Sequence, residues 1–222
     1  MTIQQTFKTE TVEYKVRDVP FTGSLAYDRS RPGRRPGVLL AHGSKGLDDL
    51  PRKRALQLAR MGYISFTLDL VGADLLKDPV LLKERAEAGL KALRTNRLVE
   101  SGRIAAVGYG SGGAAALMLA HSGVELRAAA VFHTLLPDPR PLTGSKSAAK
   151  VLVLHGVEDR VVPPESVLSL QKELRATGSD WQLVFYGNAG HGFSETGSTD
   201  YHEETDKRSW AAMSAFFEDV LR

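Results

Sequence analysis

The chain has 222 residues, of which 42% are hydrophobic and 25% charged, and it carries a net charge of +3. These values are typical of a globular protein with a full hydrophobic core and exclude intrinsic disorder, so we predict one domain over residues 1–222. The chain has no cysteine, which excludes disulfides and thiolate metal ligands. Because no apolar run is long enough to span a membrane and the amino-terminal residues lack a signal-peptide core, we expect a cytoplasmic protein.

The first predicted element is an antiparallel hairpin at the edge of a sheet. Apolar and polar residues alternate between Thr11 and Tyr27, around Pro20, as in strands with one solvated face. The loop that follows, residues 29–37, holds four arginines without interleaved aromatic residues. Short basic clusters of this kind are common on solvated surfaces, so we predict neither a nucleic-acid partner nor a membrane partner.

Beyond this loop, short apolar runs alternate with helical stretches. The runs are continuous enough for strands buried on both faces, and they are Val38–Ala41, Tyr63–Leu70, Ile104–Tyr109, Ala128–Phe132, Val151–His155 and Gln182–Tyr186. Apolar residues at helical spacing lie between or after them, namely Leu82, Ala86, Leu90 and Leu93, then Val167, Leu170 and Leu174, then Trp210, Met213, Phe217 and Val220. This alternation predicts an α/β fold with a mostly parallel sheet and helices on both faces.

A glycine-rich turn at residues 108–113 separates a predicted strand from a predicted helix. It resembles the nucleophile elbow of α/β-hydrolases, G-x-S-x-G, in which small residues flank a nucleophile held in a strained conformation. Gly108 and Gly112 match the flanking glycines, and Gly110 stands where serine or cysteine is expected. Ser111 is the alternative nucleophile, but Tyr109 would then occupy a crowded position. Ser111 is better suited to offering its backbone N–H or to capping the helix.

Three further candidate segments follow predicted strands, at the edge where such sheets bind ligands, and two of them are described first. In the turn at residues 41–46, the amide of Ser44 is a candidate oxyanion donor together with the amide of Ser111, and His42 is expected to be structural. The alternative is an ordinary strand-to-helix turn. In the segment at residues 154–163, Asp159 is the candidate acid, with Glu158 as its nearest competitor.

A histidine between two glycines follows the last predicted strand. His191 lies in the segment NAGHGF, residues 188–193, and is the candidate general base, because it follows Gly110 and Asp159 in the chain order nucleophile, acid, histidine. The remaining histidines have no such context, and no histidine spacing indicates a metal site; the ones set aside on this ground are His121, His133, His155 and His202.

These motifs together resemble the dienelactone hydrolase family of α/β-hydrolases. The similar segments span most of the chain, at residues 38–47, 58–70, 107–113, 154–163 and 189–193. The resemblance implies an eight-stranded core without a large lid domain, a Cys-His-Asp or Ser-His-Asp triad and a small ester or lactone substrate. It places the acid on Asp159, the base on His191 and the nucleophile on Gly110. The chemistry requires no bound cofactor and no metal.

The chain departs from the family pattern at three places. Gly110 replaces the nucleophilic cysteine or serine, and Gly43 stands at the position of a glutamate that accompanies the catalytic cysteine. The two arginines that bind a substrate carboxylate correspond to Ala73 and Glu195. These departures favour a neutral, small carboxylic ester or lactone over dienelactone itself, and they predict a nearly inactive chain.

Three hypotheses account for a hydrolase that lacks its nucleophile. The one we favour is that Gly110 is an engineered replacement of serine or cysteine, because an abandoned site has little reason to retain its acid and base. The second is a natural, non-catalytic relative that binds a small acyl ligand or a protein partner. The third is an active hydrolase that uses Ser111 or a water molecule.

Overall fold

The architecture is taken from a computed structural model that describes residues 6–43, 49–70, 76–136 and 148–222. The strands are β1 Phe7–Val16, β2 Val19–Asp28, β3 Arg35–Ala41, β4 Ile64–Leu68, β5 Val99–Tyr109, β6 Ala128–Phe132, β7 Lys150–Gly156 and β8 Trp181–Tyr186. The helices are α1 Asp49–Arg60, α2 Pro79–Arg94, α3 Ser111–His121, α4 Pro164–Ala176 and α5 Glu203–Val220. All six predicted strands are confirmed, with boundaries that shift by a few residues. Burial is not confirmed for β8, an edge strand in which only Tyr186 is buried.

The strands form one eight-stranded sheet in the order β1-β2-β4-β3-β5-β6-β7-β8. Strand β2 is antiparallel to β1 and to β4, and the other neighbouring pairs are parallel. The predicted edge hairpin is confirmed, but its turn lies at Arg17 and Asp18, which both have positive φ. Pro20 lies inside β2, in a stretch that pairs only with β1, because β2 pairs with β4 over Ser24–Ala26 alone. A strand with a neighbour on one side tolerates proline in this way.

Helices cover both faces of the sheet, and each face has its own hydrophobic core. Helices α2, α3 and α4 pack their apolar side chains on one face, and α1 and α5 pack theirs on the other. The predicted core positions Leu82, Leu90, Val167, Met213 and Phe217 are all buried. Helices α1, α2, α4 and α5 each turn one apolar stripe toward the sheet, whereas α3 is buried on all sides from Gly112 to His121.

The parallel strands bring several predicted site residues to one edge of the sheet. Gly110 and Ser111 follow β5, Asp159 follows β7 and His191 follows β8. The predicted oxyanion donor Ser44 follows β3, but it lies outside the described residues, as does Ala73. In the described parts of the chain, no helix has the length and apolar character needed to cross a bilayer.

Candidate active site

The turn between β5 and α3 is centred on Gly110, whose backbone has φ 54° and ψ −121°. This conformation is disfavoured for residues with a side chain. The Gly110 N–H donates to the carbonyl of Phe132 at 3.2 Å, and the Gly110 carbonyl accepts from Leu135 N–H at 3.0 Å. These bonds tie the turn to the end of β6. A Cβ atom at Gly110 would meet no atom of the described residues within 4 Å, so these residues leave room for a side chain.

The flanking glycines are required because backbones approach closely on either side of this turn. A Cβ on Gly108 would lie 2.2 Å from the carbonyl oxygen of Gly112. A Cβ on Gly112 would lie 2.3 Å from the carbonyl oxygen of Ala41 in β3. The helix therefore begins directly against two strands, which is possible only without side chains at these positions.

Gly112→Ala is expected to lower the free energy of unfolding by roughly 3 kcal/mol, because the added methyl group meets backbone atoms that cannot rotate away. Urea unfolding followed by circular dichroism measures this change. Gly187→Ala is the matched control, since a Cβ there would meet nothing within 4 Å in the described parts of the chain and the residue lacks a positive φ. Equal stability of the two variants would contradict the close approach of α3 to β3.

Asp159 and His191 form a hydrogen-bonded pair across two loops. The Nδ1 atom of His191 lies 2.8 Å from Oδ2 of Asp159. The other carboxylate oxygen, Oδ1, accepts backbone N–H bonds from Val161 and Val162, each at 2.8 Å. The Asp159 side chain is fully buried and that of His191 is 22% exposed. Glu158, the competing carboxylate in the sequence, is exposed.

Backbone contacts fix the two loops relative to each other. The N–H of Glu158 donates to the carbonyl of Ala189 at 3.0 Å, and the N–H of Val157 donates to Tyr186 at 2.9 Å. Gly156 allows this approach, because a Cβ there would lie 2.2 Å from the Ala189 carbonyl oxygen. The loop after β7 and the loop after β8 are therefore joined one residue before Asp159 and two residues before His191.

The surroundings of Asp159 keep its carboxylate charged. Burial alone would raise the pKa of Asp159, but the hydrogen bond from His191 and the backbone N–H groups of Val162 and Val161 outweigh burial and leave the pKa below its ordinary value. A charged carboxylate can only accept a hydrogen bond, so Nδ1 of His191 carries the proton that it donates to Asp159. In the neutral ring this leaves Nε2 as the basic nitrogen. Nε2 makes no hydrogen bond to any described residue.

The hydroxyl of Ser111 is directed toward the end of β3. A Cβ at Gly43 would lie 3.2 Å from Oγ of Ser111. Among the described residues, this hydroxyl makes no hydrogen bond to His191. The backbone N–H of Ser111 lies in the first turn of α3, where amides have no acceptor within the helix. No described residue accepts a hydrogen bond from this amide.

Two histidines that no sequence motif indicates lie next to the Asp159–His191 pair. The ring of His133, which follows β6, packs edge-on against His191 with centroids 5.3 Å apart. His155, at the end of β7, has Nδ1 4.0 Å from Oδ2 of Asp159 and Nε2 2.9 Å from the carbonyl of Val162. Both rings are fully buried. The sequence signal that could have identified them is their position just after, or at the end of, a predicted parallel strand. The carboxyl ends of parallel strands lie at the same edge of the sheet, where ligands bind.

Burial makes His133 and His155 neutral in the folded protein. It lowers the pKa of His133 from 6.5 to about 3, helped by the charge of His191, and it also lowers the pKa of His155. The unfolded chain binds a proton at His133 near pH 6.5, whereas the folded chain binds one only near pH 3. Between these values the unfolded state holds more protons, so stability is full above pH 6.5 and falls as the pH falls.

We expect the free energy of unfolding to drop between pH 7.5 and pH 4.5 by an amount on the order of a few kcal/mol. His133→Asn is expected to flatten this dependence, because asparagine does not titrate and tolerates the positive φ of 36° at this position. Urea midpoints measured across this pH range test the expectation. His202→Asn, on an exposed histidine at the start of α5, is the matched control. Parallel pH curves for the parent and His133→Asn would contradict the assignment.

The described residues contain no group of three or more His, Asp or Glu side chains arranged to hold a metal ion. What the described groups can do is acid-base chemistry. His191 can accept a proton at Nε2, Asp159 can hold the resulting positive charge, and the Ser111 amide can donate to an oxygen.

Comparison with solved structures shows that this is an α/β-hydrolase fold. The dienelactone hydrolase-like promiscuous phosphotriesterase P91 from metagenomic libraries has a TM-score of 0.90 and 30% identity, covering 98% of this chain and 100% of that one. The esterase Est2 of Thermogutta terrifontis, at 17% identity and TM-score 0.76, shares the fold over 96% of this chain and 94% of its own length.

Sequence comparison gives the family. The family model for dienelactone hydrolases matches residues 21–221. The chain therefore belongs to the dienelactone hydrolase family and carries a hydrolase scaffold.

Two curated relatives match shorter segments. An uncharacterised protein of Caenorhabditis elegans is 32% identical over 152 residues, 63% of this chain and 94% of that protein. A protein of Salmonella typhimurium, named as a proposed carboxymethylenebutenolidase, is 30% identical over 123 residues, 52% of this chain. The matched segment is 46% of that protein's length, about half.

Proposed function

We propose that this chain is a carboxylic ester or lactone hydrolase scaffold in which Gly110 occupies the nucleophile position of a Ser/Cys-His-Asp triad. The observation that carries the proposal is the 2.8 Å hydrogen bond between His191 and Asp159, at the same edge of the sheet as the positive-φ turn. His133 connects these features, since it follows β6, the strand to which Gly110 is bonded, and its ring contacts His191. Family membership supports the same reaction class.

With serine or cysteine at position 110, the parts perform acyl transfer in two steps. His191 Nε2 takes the proton from the hydroxyl or thiol as it attacks the carbonyl carbon, and the carbonyl oxygen becomes an oxyanion. The amide of Ser111, with that of Ser44 as its proposed partner, donates hydrogen bonds to this oxyanion. His191 then protonates the leaving alcohol, and a water molecule activated by His191 releases the acid.

With Gly110, no side-chain atom is present to attack the ester. Removing the nucleophile of a triad costs on the order of 10⁶ in turnover, and what is left comes from the oxyanion donors and a histidine-activated water. The chain as written is therefore close to inactive. The retained acid and base favour an origin in which Gly110 replaces serine or cysteine of an active parent.

The direction of the Ser111 hydroxyl disfavours the reading in which Ser111 is the nucleophile. Its Oγ lies against the Gly43 position, and it makes no hydrogen bond to His191 among the described residues. A natural ligand-binding relative is the other candidate, and the space at Gly110 is the observation that favours it. Native mass spectrometry of the purified chain tests this candidate. It predicts that a small acyl ligand co-purifies and adds its mass to that of the protein.

Hydrolysis of p-nitrophenyl acetate by the chain as written, by Gly110→Ser and Gly110→Cys, and by Ser111→Ala tests the proposal. Gain of activity in a Gly110 variant supports it. Loss of the starting activity in Ser111→Ala would instead identify Ser111 as the nucleophile.

A further inference from the structure

A carboxylate lies beside the proposed acid-base pair, four residues after His191. Oε1 of Glu195 is 3.9 Å from Nε2 of His42, which follows β3, and 3.9 Å from Nε2 of His133, which follows β6. Oε2 of Glu195 lies 3.9 Å from where a Cβ of Gly192 would be. Glu195 thus reaches over the carboxyl ends of two strands that flank β5, the strand that ends at the Gly110 turn.

His133 does not neutralise the charge of Glu195. At 3.9 Å, His133 is beyond hydrogen-bond distance, and its Nε2 is already 2.9 Å from the hydroxyl of Ser194. Burial lowers the pKa of His133 to about 3, so this ring is uncharged at neutral pH. Within the described parts of the chain, no lysine or arginine forms an ion pair with Glu195.

Arg54, a buried arginine in contact with this segment, binds other groups than Glu195. Arg54 donates to the carboxylate of Asp206 and, at 2.9 Å, to the carbonyl of Ser194. The Glu195 side chain is 28% exposed, so its carboxylate is both accessible and set among buried rings. The ionised Asp159, which is hydrogen-bonded to His191, adds a second negative charge to this edge of the sheet. The described groups around His191 therefore form an environment that attracts positive charge.

We propose that Glu195 is a specificity-determining residue whose carboxylate binds a positively charged group of the ligand. This inference rests on the proposed function and narrows its substrate class from carboxylic esters or lactones in general to those that carry an ammonium group, in place of the neutral ester that the sequence favours. Attraction of a cation to a partly buried carboxylate exceeds that in water, because the surrounding rings reduce screening. A negatively charged substrate would be repelled by the same group.

Matched esters test the inference in the Gly110→Ser background. Butyrylcholine and 3,3-dimethylbutyl butyrate have nearly the same shape and differ by a positive charge. We expect kcat/KM to favour the cationic ester by about tenfold or more, which corresponds to about 1.4 kcal/mol. Glu195→Gln is expected to bring the ratio close to one and to leave kcat/KM for the neutral ester within about twofold. Glu125→Gln is the matched control, because Glu125 is exposed and precedes β6, at the opposite edge of the sheet.

Binding to the chain as written separates this inference from the proposed function. Choline and 3,3-dimethylbutanol are titrated into the Gly110 chain and its Glu195→Gln and Glu125→Gln variants at low salt, and chemical shifts of the histidine ring protons are recorded. Tighter binding of choline that is lost only in Glu195→Gln supports the inference, even if Gly110→Ser hydrolyses neither ester and the proposed function fails. Equal or weaker binding of choline overturns the inference, even if Gly110→Ser is an active esterase.

Discussion

Gly110→Ser and Gly110→Cys are expected to increase the hydrolysis of p-nitrophenyl acetate by about 10³-fold at least, and by as much as about 10⁶-fold. The upper value is the effect of restoring a complete triad, and the lower one allows for an imperfectly placed nucleophile. The structure favours the gain because a Cβ at Gly110 meets no atom of any described residue within 4 Å, while the acid-base pair is already formed. Initial rates of p-nitrophenolate release measure it.

The restored variants should also be less stable than the chain as written. A side chain at φ 54° adds strain of about 1–3 kcal/mol, which serine, cysteine and alanine share. Gly110→Ala is therefore the control: it carries the strain without a nucleophile and is expected to stay at the starting activity, as is Ser111→Ala. If neither Gly110→Ser nor Gly110→Cys exceeds the starting chain while both remain folded, position 110 is not the nucleophile position.

Asp159→Asn in the Gly110→Ser chain is expected to lower kcat by about 10⁴-fold, with little change in KM. The aspartate fixes the proton on Nδ1 of His191 and stabilises the imidazolium that forms during attack, and asparagine does neither. His191→Ala is expected to remove nearly all of the restored activity, because the nucleophile then has no base. Steady-state kinetics on the same ester give both values.

The neighbouring carboxylate supplies the control for this second prediction. Glu158→Gln changes an exposed side chain one residue away and is expected to leave kcat within about twofold. A loss in Glu158→Gln equal to that in Asp159→Asn would show that general charge near the loop matters, rather than the hydrogen bond to His191. Retention of most activity in Asp159→Asn would likewise contradict the triad.

Local sequence patterns are sufficient to predict the elements whose conformation depends mainly on neighbouring residues, namely the strands, the helices and the glycine turn. The apolar runs of β3 to β7 predict buried strands because a parallel sheet covered on both sides disfavours polar side chains in its strands. The run of β8 predicts its strand but not its exposure at the edge of the sheet. The glycine frame at 108–113 predicts a sharp turn because only glycine allows the close backbone approaches found at Gly108 and Gly112. The alternation centres the hairpin on Pro20, a strong turn signal, whereas its turn lies two to three residues earlier, at Arg17 and Asp18.

Contacts between distant segments were decided only by the tertiary structure. The choice of Asp159 over Glu158 follows from which carboxylate faces His191, and those loops are joined by a backbone bond that no motif encodes. His133 and Glu195 carry no recognisable motif, yet packing sets one ring against His191 and one carboxylate between two histidines. By itself the sequence determined the strands, the helices and the glycine turn, because backbone conformation and burial depend on neighbouring residues. The burial and charge around His191 depend on segments far apart in the chain, so only the packed sheet decided them.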